Sequence, residues 1–118
     1  MTVPPGAPPT QLESKDLIVG TGATAEAGET VTVQYVGVAY SNGKVFDASW
    51  NRDQPFQFAL GEGQVITGWD QGVVGMKVGG RRELIIPPNL AYGANAPAGS
   101  GIAPNDTLIF IVDLLKVG

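Results

Sequence analysis

Neither cysteine nor histidine occurs among the 118 residues of this chain. Without cysteine there is no disulfide and no thiolate chemistry, which is compatible with a reducing compartment. Without histidine, a Ser-His-Asp triad, a histidine-ligated zinc ion and an imidazole switch near neutral pH are all excluded. Enzyme classes whose catalysis depends on cysteine or histidine are therefore excluded.

The sequence also lacks the patterns of membrane, nucleic-acid and metal binding. No apolar run approaches the roughly 18 residues that span a bilayer, and the N-terminal residues do not read as a signal peptide. The formal net charge is −4, and Arg81-Arg82 is the only basic pair, whereas nucleic acid needs a basic stripe. The eleven carboxylates are scattered, without calcium-loop spacing. We expect no membrane segment, no nucleic-acid partner, no metal and no cofactor.

Proline and glycine are abundant and unevenly placed. Four of the nine prolines lie in residues 1–14, which predicts a disordered or polyproline-like tail. The remaining residues, 15–118, are expected to form one domain. The 17 glycines indicate many turns and therefore many short strands.

The region around Trp69 carries the clearest helix signal. Thr67 is a favourable N-cap, and Asp70 three residues later completes the spacing of a capping box. Gly75 is placed to end the helix in a left-handed conformation. A helix of about two turns is not stable alone, so its apolar face needs a cover. The apolar face consists of Ile66, Trp69 and Val73.

Most other segments alternate in the manner of strands. The last one is apolar on both faces, which is typical of a central strand. Asn42-Gly43 predicts a hairpin, and Gly37 predicts a bulge or bend. The sequence therefore predicts an α+β fold, with a five- to six-stranded antiparallel sheet curled around one short helix. The predicted strands are 16–19, 30–40, 45–49, 56–60, 81–86 and 107–116.

Aromatic residues fall on these strands and on the helix. In one interpretation they are simply the core of a small β-rich domain. In the other they line an apolar pocket with polar groups at its rim. The residues alone leave both interpretations open. The residues concerned are Tyr35, Phe46, Phe56, Phe58, Trp69 and Phe110.

Five motifs, in order and spacing, resemble the FKBP-type peptidyl-prolyl cis-trans isomerases. The resemblance covers residues 15–117 and fits a single-domain, bacterial-type member. It implies a sheet wrapped on a short helix and isomerisation of X–Pro bonds in unfolded or flexible proteins. It also implies inhibition by the macrolides rapamycin and tacrolimus, a monomeric state and a cytoplasmic location. The motifs are Phe46-Asp47-Ala48-Ser49, Pro55-Phe56-Gln57-Phe58, Val65-Ile66-Thr67-Gly68-Trp69-Asp70-Gln71-Gly72, Ala91-Tyr92-Gly93 and Leu108-Ile109-Phe110.

The resemblance also implies a set of site residues. Trp69 would form the pocket floor, and the Ile66 backbone N–H would face a ligand carbonyl. Asp47 and Tyr92 would stand at the rim. The walls would be Tyr35, Phe46, Phe56, Val65, Ile66 and Phe110. The residues expected to act in catalysis are Phe46, Asp47, Trp69, Tyr92 and Phe110.

Further implied contacts extend from the rim. Asp47 would pair with Arg52 and accept a hydrogen bond from the Tyr35 hydroxyl. Ile102 would supply a lip from the long loop of residues 89–106. The stretch 94–101 is about one residue longer than in the vertebrate single-domain members and lacks the histidine that they carry there.

Two functional hypotheses follow. The first is an enzyme that isomerises X–Pro bonds, and the second is a binding module that docks a proline-bearing segment with incidental turnover. All the usual pocket residues of the family are present, which favours the enzyme.

Overall fold

The computed structural model describes residues 6, 8–49, 54–96 and 99–118. Within them the chain forms six strands and one short α-helix, which confirms the predicted fold class. A 3₁₀ turn spans Pro88–Leu90. The elements are β1 Glu13–Ile18, β2 Thr30–Ala39, β3 Val45–Ala48, β4 Phe56–Ala59, α1 Thr67–Gly72, β5 Arg81–Ile86 and β6 Leu108–Val117.

The six strands make one antiparallel sheet in the order β1-β5-β6-β2-β3, with β4 also paired to β2. The central position predicted for the last strand is confirmed, because β6 lies between β5 and β2. Its apolar residues on one phase join the core beneath the helix, and Ile109 on the other phase is also fully buried. This double burial explains why β6 does not alternate. The core residues of β6 are Leu108, Phe110, Val112 and Leu114.

The outer edge of β2 is divided between two short strands. Residues 36–38 pair with β3 and residues 30–33 pair with β4. Between the two pairings the Tyr35 N–H donates to Ser49 Oγ at 2.7 Å, and the Ser49 hydroxyl donates to the Gln34 side-chain oxygen. Because a buried backbone N–H needs an acceptor, a serine hydroxyl replaces the missing strand here. This division lets the chain leave the sheet between β3 and β4.

The helix begins in a different way from the prediction. Thr67 is the first helical residue, the N-cap is Ile66, and no side chain caps the N-terminus. The predicted capping box is therefore wrong. The Asp70 carboxylate accepts hydrogen bonds from the backbone of the preceding turn instead. Gly75 has the predicted positive φ of 90°, but α1 already ends at Gly72.

Two glycines allow α1 to lie directly on β5. A Cβ atom on Gly68 would lie 2.4 Å from Ile86 Cγ2, and one on Gly72 would lie 2.6 Å from Leu84 Cδ2. Both distances are shorter than any real Cβ contact, so larger residues would push the helix off the sheet. Trp69 and Val73 are buried on this face. The cover predicted for the apolar face of the helix is thus the sheet itself.

The first strand begins earlier in the chain than predicted. β1 begins at Glu13, two residues before the domain boundary predicted at residue 15, and Leu12 packs against the core. The Tyr40 hydroxyl donates to the Gly6 carbonyl at 3.2 Å. Residues 1–5 and 7 of the predicted tail lie outside the described residues.

Candidate functional site

Trp69 lies at the centre of a cluster of aromatic rings between α1 and the sheet. Its indole is edge-on to Tyr35 and Phe110, with ring centroids 5.0 Å and 5.2 Å away. Phe56 lies 6.1 Å away on a third side. Such edge-to-face contacts add to the stability that burial of the rings provides. The indole is therefore held rigidly while one face of the cluster borders a cavity.

This cavity has a volume of about 190 Å³. It opens beside the helix N-terminus and is mostly apolar, but the hydroxyls of Tyr35 and Tyr92, the Asp47 carboxylate and the Gln64 amide belong to its lining side chains. That composition is typical of small-molecule and peptide sites. The lining residues are Tyr35, Phe46, Asp47, Phe56, Gln64, Val65, Ile66, Trp69, Tyr92 and Phe110.

One wall of the cavity depends on a glycine in β2. Gly37 pairs with Asp47 of β3 and Phe110 of β6. A Cβ on Gly37 would lie 2.7 Å from both Phe46 Cζ and Phe110 Cε1. These two rings are edge-on to each other at 5.5 Å. The register of β2 against β3 shifts just after Gly37, where the pairing passes from Asp47 to Val45. This irregularity agrees with the bulge or bend predicted at Gly37.

At the rim, the Tyr35 hydroxyl donates to Asp47 Oδ2 at 2.6 Å. The expected hydrogen bond is therefore present, and its length is typical of an O–H donor on a carboxylate. Tyr35 and Asp47 come from neighbouring strands, β2 and β3. The sheet thus fixes the carboxylate at the mouth of the cavity.

Tyr92 also lines the cavity and comes from the loop between β5 and β6. The turn that carries it is closed by a hydrogen bond from the Gly93 N–H to the Pro88 carbonyl at 2.9 Å. Tyr92 is 38% exposed. Partial burial, together with the negative charge of Asp47, raises the pKa of the Tyr92 hydroxyl above its ordinary value of 10.0. At neutral pH this hydroxyl is protonated and is available as a donor.

The backbone at the start of the helix leaves one donor unused. The Ile66 carbonyl accepts from the Trp69 and Asp70 N–H groups. The Ile66 N–H itself donates to no group within the described part of the chain. Because backbone N–H groups are seldom left unpaired, this position is suited to a ligand carbonyl.

The Trp69 indole is also unpaired at its nitrogen. Nε1 is buried and has no hydrogen-bond partner among the residues that the structure describes. Aromatic rings surround it, and N–H contacts to aromatic faces are weak. The indole therefore borders the cavity without a polar partner of its own in the described part of the chain.

Comparison with known proteins identifies the family. The model of the family described as FKBP-type peptidyl-prolyl cis-trans isomerase matches residues 22–115. The chain belongs to this family. It is 63% identical over 114 residues to the FK506-binding protein of Streptomyces anulatus, which covers 97% of this chain and 92% of that protein. It is 50% identical over 115 residues to the probable FK506-binding protein of Corynebacterium glutamicum, covering 97% and 93%.

A solved structure supports the same assignment. The crystal structure of AtFKBP13 superimposes with a TM-score of 0.83 at 40% sequence identity, covering 94% of this chain and 96% of that one. The resemblance seen in the motifs is thus confirmed, and the chain is an FKBP-type peptidyl-prolyl cis-trans isomerase.

Most of the predicted site residues of this FKBP-type domain lie together. Nine of them line the cavity: Tyr35, Phe46, Asp47, Phe56, Val65, Ile66, Trp69, Tyr92 and Phe110. Ile102 lies outside the lining and packs against the core, although neighbouring Gly101 approaches Phe46. Arg52 lies outside the described residues. The roles of all these residues remain predictions.

Gln64 lines the cavity but was missed by the sequence analysis. Its Oε1 accepts from the Ala59 N–H at 2.9 Å, which ties it to the end of β4. Aromatic and apolar residue types indicate the walls of a pocket. A glutamine that follows a glycine-rich turn carries no such signal. Its position directly before Val65 was the available indication.

Two kinds of feature are absent from the described ranges. No cluster of three or more Asp or Glu side chains has an arrangement suited to a metal ion. No helix there has the length and apolar character required to cross a bilayer.

Proposed function

We propose that this chain catalyses rotation about X–Pro bonds in the cavity over Trp69. The observation that carries the proposal is an aromatic cavity with an unpaired Ile66 N–H at its edge. A proline ring fits an apolar floor, and a substrate carbonyl outside the rotating amide can accept from the unpaired N–H. Membership of the isomerase family supports the same activity.

The chemistry needs no proton transfer. An X–Pro bond isomerises over a barrier of about 18–20 kcal/mol that originates in amide resonance. When the bond is twisted, resonance is lost and the carbonyl oxygen carries less negative charge. Water favours the planar, more polar amide, so an apolar cavity favours the twisted form by comparison. Catalysis is then differential binding of the twisted amide.

Each lining residue has a proposed role in that binding. Trp69 supports the proline ring from below, and the Ile66 N–H donates to the proline's own carbonyl, which lies outside the rotating bond. Tyr92 donates from the rim, where Asp47 holds the Tyr35 hydroxyl in place. The proposed walls are Tyr35, Phe46, Phe56, Val65 and Phe110. The pairing of Arg52 with Asp47 and the lip at Ile102 are further proposals of the same kind.

We also propose that FK506 (tacrolimus) and rapamycin bind this cavity and inhibit the enzyme. The support is the similarity to proteins that are named for FK506 binding. The pipecolyl ring of these macrolides is a mimic of proline and would lie over Trp69. Substrate and macrolide would then compete for one site.

The proposed physiological role is assistance to protein folding. X–Pro isomerisation is slow enough to limit folding, and unfolded or flexible proteins supply the substrate segments. A cytoplasmic location and a monomeric state remain predictions. Cell fractionation and light scattering on purified protein would check them.

A protease-coupled assay on purified protein tests the proposal. Peptides with Leu or Glu before proline are compared, with and without FK506. We expect turnover, a clear preference for Leu-Pro, and inhibition by FK506. Binding of proline peptides without turnover would identify a docking module instead, and equal turnover of both peptides would contradict the apolar pocket.

Fluorescence assigns the site. FK506 binding is expected to change the tryptophan emission, and the change is expected to disappear in folded Trp69→Leu. The chain has a second tryptophan, Trp50. A signal that persists unaltered in Trp69→Leu would assign the change to Trp50 and would place the ligand elsewhere.

A further inference from the structure

The turn between β4 and α1 carries the residues that border one side of the cavity. It contains Gly61 and Gly63, whose φ angles are 77° and 74°. Val65 and Ile66 follow directly and line the cavity. Glycine has the largest conformational freedom of any residue. A turn with two glycines therefore needs other contacts to hold one conformation.

The Asp70 carboxylate provides two of these contacts. Its Oδ1 accepts from the Gly61 N–H at 2.8 Å, and its Oδ2 accepts from the Gly63 N–H at 3.0 Å. Hydrogen bonds to a charged acceptor are stronger than those between neutral groups. Each carboxylate oxygen thus fixes one glycine of the turn to α1.

The same residue is connected to Ile66 through its backbone. The Asp70 N–H donates to the Ile66 carbonyl at 3.3 Å. Gln64 adds a third side-chain contact, from the Ala59 N–H to its Oε1. The backbone around Ile66 is consequently held from the helix on one side and from β4 on the other.

We propose that Asp70 is a positioning residue for the isomerase site. Its carboxylate forms no hydrogen bond or ion pair with a lining side chain in the part of the chain that the structure describes. It acts by holding the turn so that the Ile66 N–H is in position before substrate arrives. This rests on the proposed function, in which that N–H binds the carbonyl of the substrate proline. A site organised in advance loses less entropy on binding.

Glu62 offers a matched control. It lies in the same turn, between the two glycines, and is exposed. No hydrogen bond or ion pair joins it to any residue, within the part of the chain that the structure describes. Glu62→Gln therefore removes one charge from the turn without removing a hydrogen bond.

The first measurement is amide hydrogen exchange by NMR on the free protein. In Asp70→Ala the Gly61 and Gly63 amides are expected to exchange about tenfold faster than in the wild type, because the hydrogen-bonded turn becomes a minor state. Asp70→Asn keeps one acceptor oxygen, so its exchange rates at Gly61 and Gly63 are expected to lie between those of the wild type and Asp70→Ala. Unchanged exchange at both glycines in Asp70→Ala would overturn the proposal, whether or not the protein proves to be an isomerase.

The second measurement is steady-state isomerisation of a Leu-Pro peptide. If the competent turn falls to about a tenth of the molecules, KM rises about tenfold with kcat little changed. A merely structural role would lower the amount of folded enzyme, and therefore the apparent kcat, while KM stayed constant. Glu62→Gln is expected to match the wild type in both.

If Asp70→Ala does not fold, both measurements are made on Asp70→Asn. An Asp70→Asn variant with wild-type KM and wild-type glycine exchange contradicts the proposal. An inactive wild type would instead contradict the proposed function, and the exchange data would still test whether Asp70 orders the turn.

Discussion

At the scale of single residues, the two polar groups of the rim affect each other. Partial burial, and after it the negative charge of Asp47, favour the protonated form of Tyr92 and raise its pKa above 10.0. A raised pKa in an acid means that the folded state resists deprotonation. Stability that depends on Tyr92 is therefore fully present at neutral pH and decreases as pH rises past the ordinary tyrosine pKa.

Tyr92→Phe removes only the hydroxyl. We expect kcat/KM to fall about fivefold, because a net hydrogen bond contributes about 1 kcal/mol. The melting temperature is expected to stay within about 1–2 °C, since the ring is 38% exposed and remains in place. Peptide assays and thermal unfolding on one sample check this. A large loss of stability with unchanged kcat/KM would make the hydroxyl structural.

Asp47→Val is expected to weaken binding of peptide and macrolide more than it lowers stability. Valine suits a strand position such as that in β3, but it leaves the Tyr35 hydroxyl without the acceptor at 2.6 Å. Affinity by fluorescence and unfolding by calorimetry are measured together. If the melting temperature drops sharply and affinity per folded molecule is unchanged, Asp47 supports the fold only.

Site residues could be predicted from the sequence where their residue type, or the resemblance to a family, pointed to a pocket. The aromatic residues, with one tryptophan on a short helix, were compatible with either a core or a pocket, and the resemblance favoured the pocket and assigned Asp47 and Tyr92 to its rim. Gln64 and Gly37 could not be found in this way. The importance of Gly37 lies in the distance between two rings on other strands, which only the folded chain sets.

At the scale of elements, α1 is stabilised from outside. The last turn contains no basic residue, but Arg82 of β5 donates Nη1 to the Gly72 and Val74 carbonyls at 2.8 Å and 3.0 Å. Its Nε donates to Asp16 of β1 at 2.7 Å. One guanidinium thus joins the C-terminal end of the helix to the edge of the sheet, where free carbonyls attract cations.

Arg82→Met is expected to lower the free energy of unfolding by about 2 kcal/mol, because hydrogen bonds to a largely buried charged group are lost. Arg81→Met is the matched control. Arg81 pairs with Asp113 at 2.7 Å but is 45% exposed, against 13% for Arg82. Exposed ion pairs contribute about 1 kcal/mol or less. Equal losses in denaturant unfolding of both variants would contradict the role given to Arg82.

Strand patterns were predictable, whereas helix contacts were less so. The alternation of β2 and the double apolar face of β6 follow from local sequence. Thr67 had the correct residue type for a cap but became the first helical residue, because Asp70 is bonded to the glycine turn. Capping patterns consider only neighbours within one turn. The Asp70 carboxylate instead accepts from Gly63 and Gly61, which lie seven and nine residues earlier in the chain.

At the scale of the whole molecule, the absence of histidine and cysteine determines the pH dependence of activity. We expect kcat/KM on a neutral peptide to be nearly flat between about pH 6 and 8, because no side chain has its ordinary pKa there. The raised pKa of Tyr92 keeps its hydroxyl protonated across this range. General acid–base catalysis would give a bell-shaped profile instead.

Kinetics at each pH, with folding checked by circular dichroism, provide the measurement. A steep limb in the wild type that disappears in Asp47→Asn would show that a titrating carboxylate takes part. Binding of the twisted amide in an apolar cavity would then be an incomplete mechanism.

The central place of β6 has a consequence for synthesis on the ribosome. β6 lies between β5 and β2, yet it is the last of these strands to be translated. Until residues 108–117 have left the exit tunnel, β2 and β5 each present an open edge, and open edges invite pairing with other chains. The sheet of the nascent domain can therefore close only after β6 has emerged, so its folding is completed late.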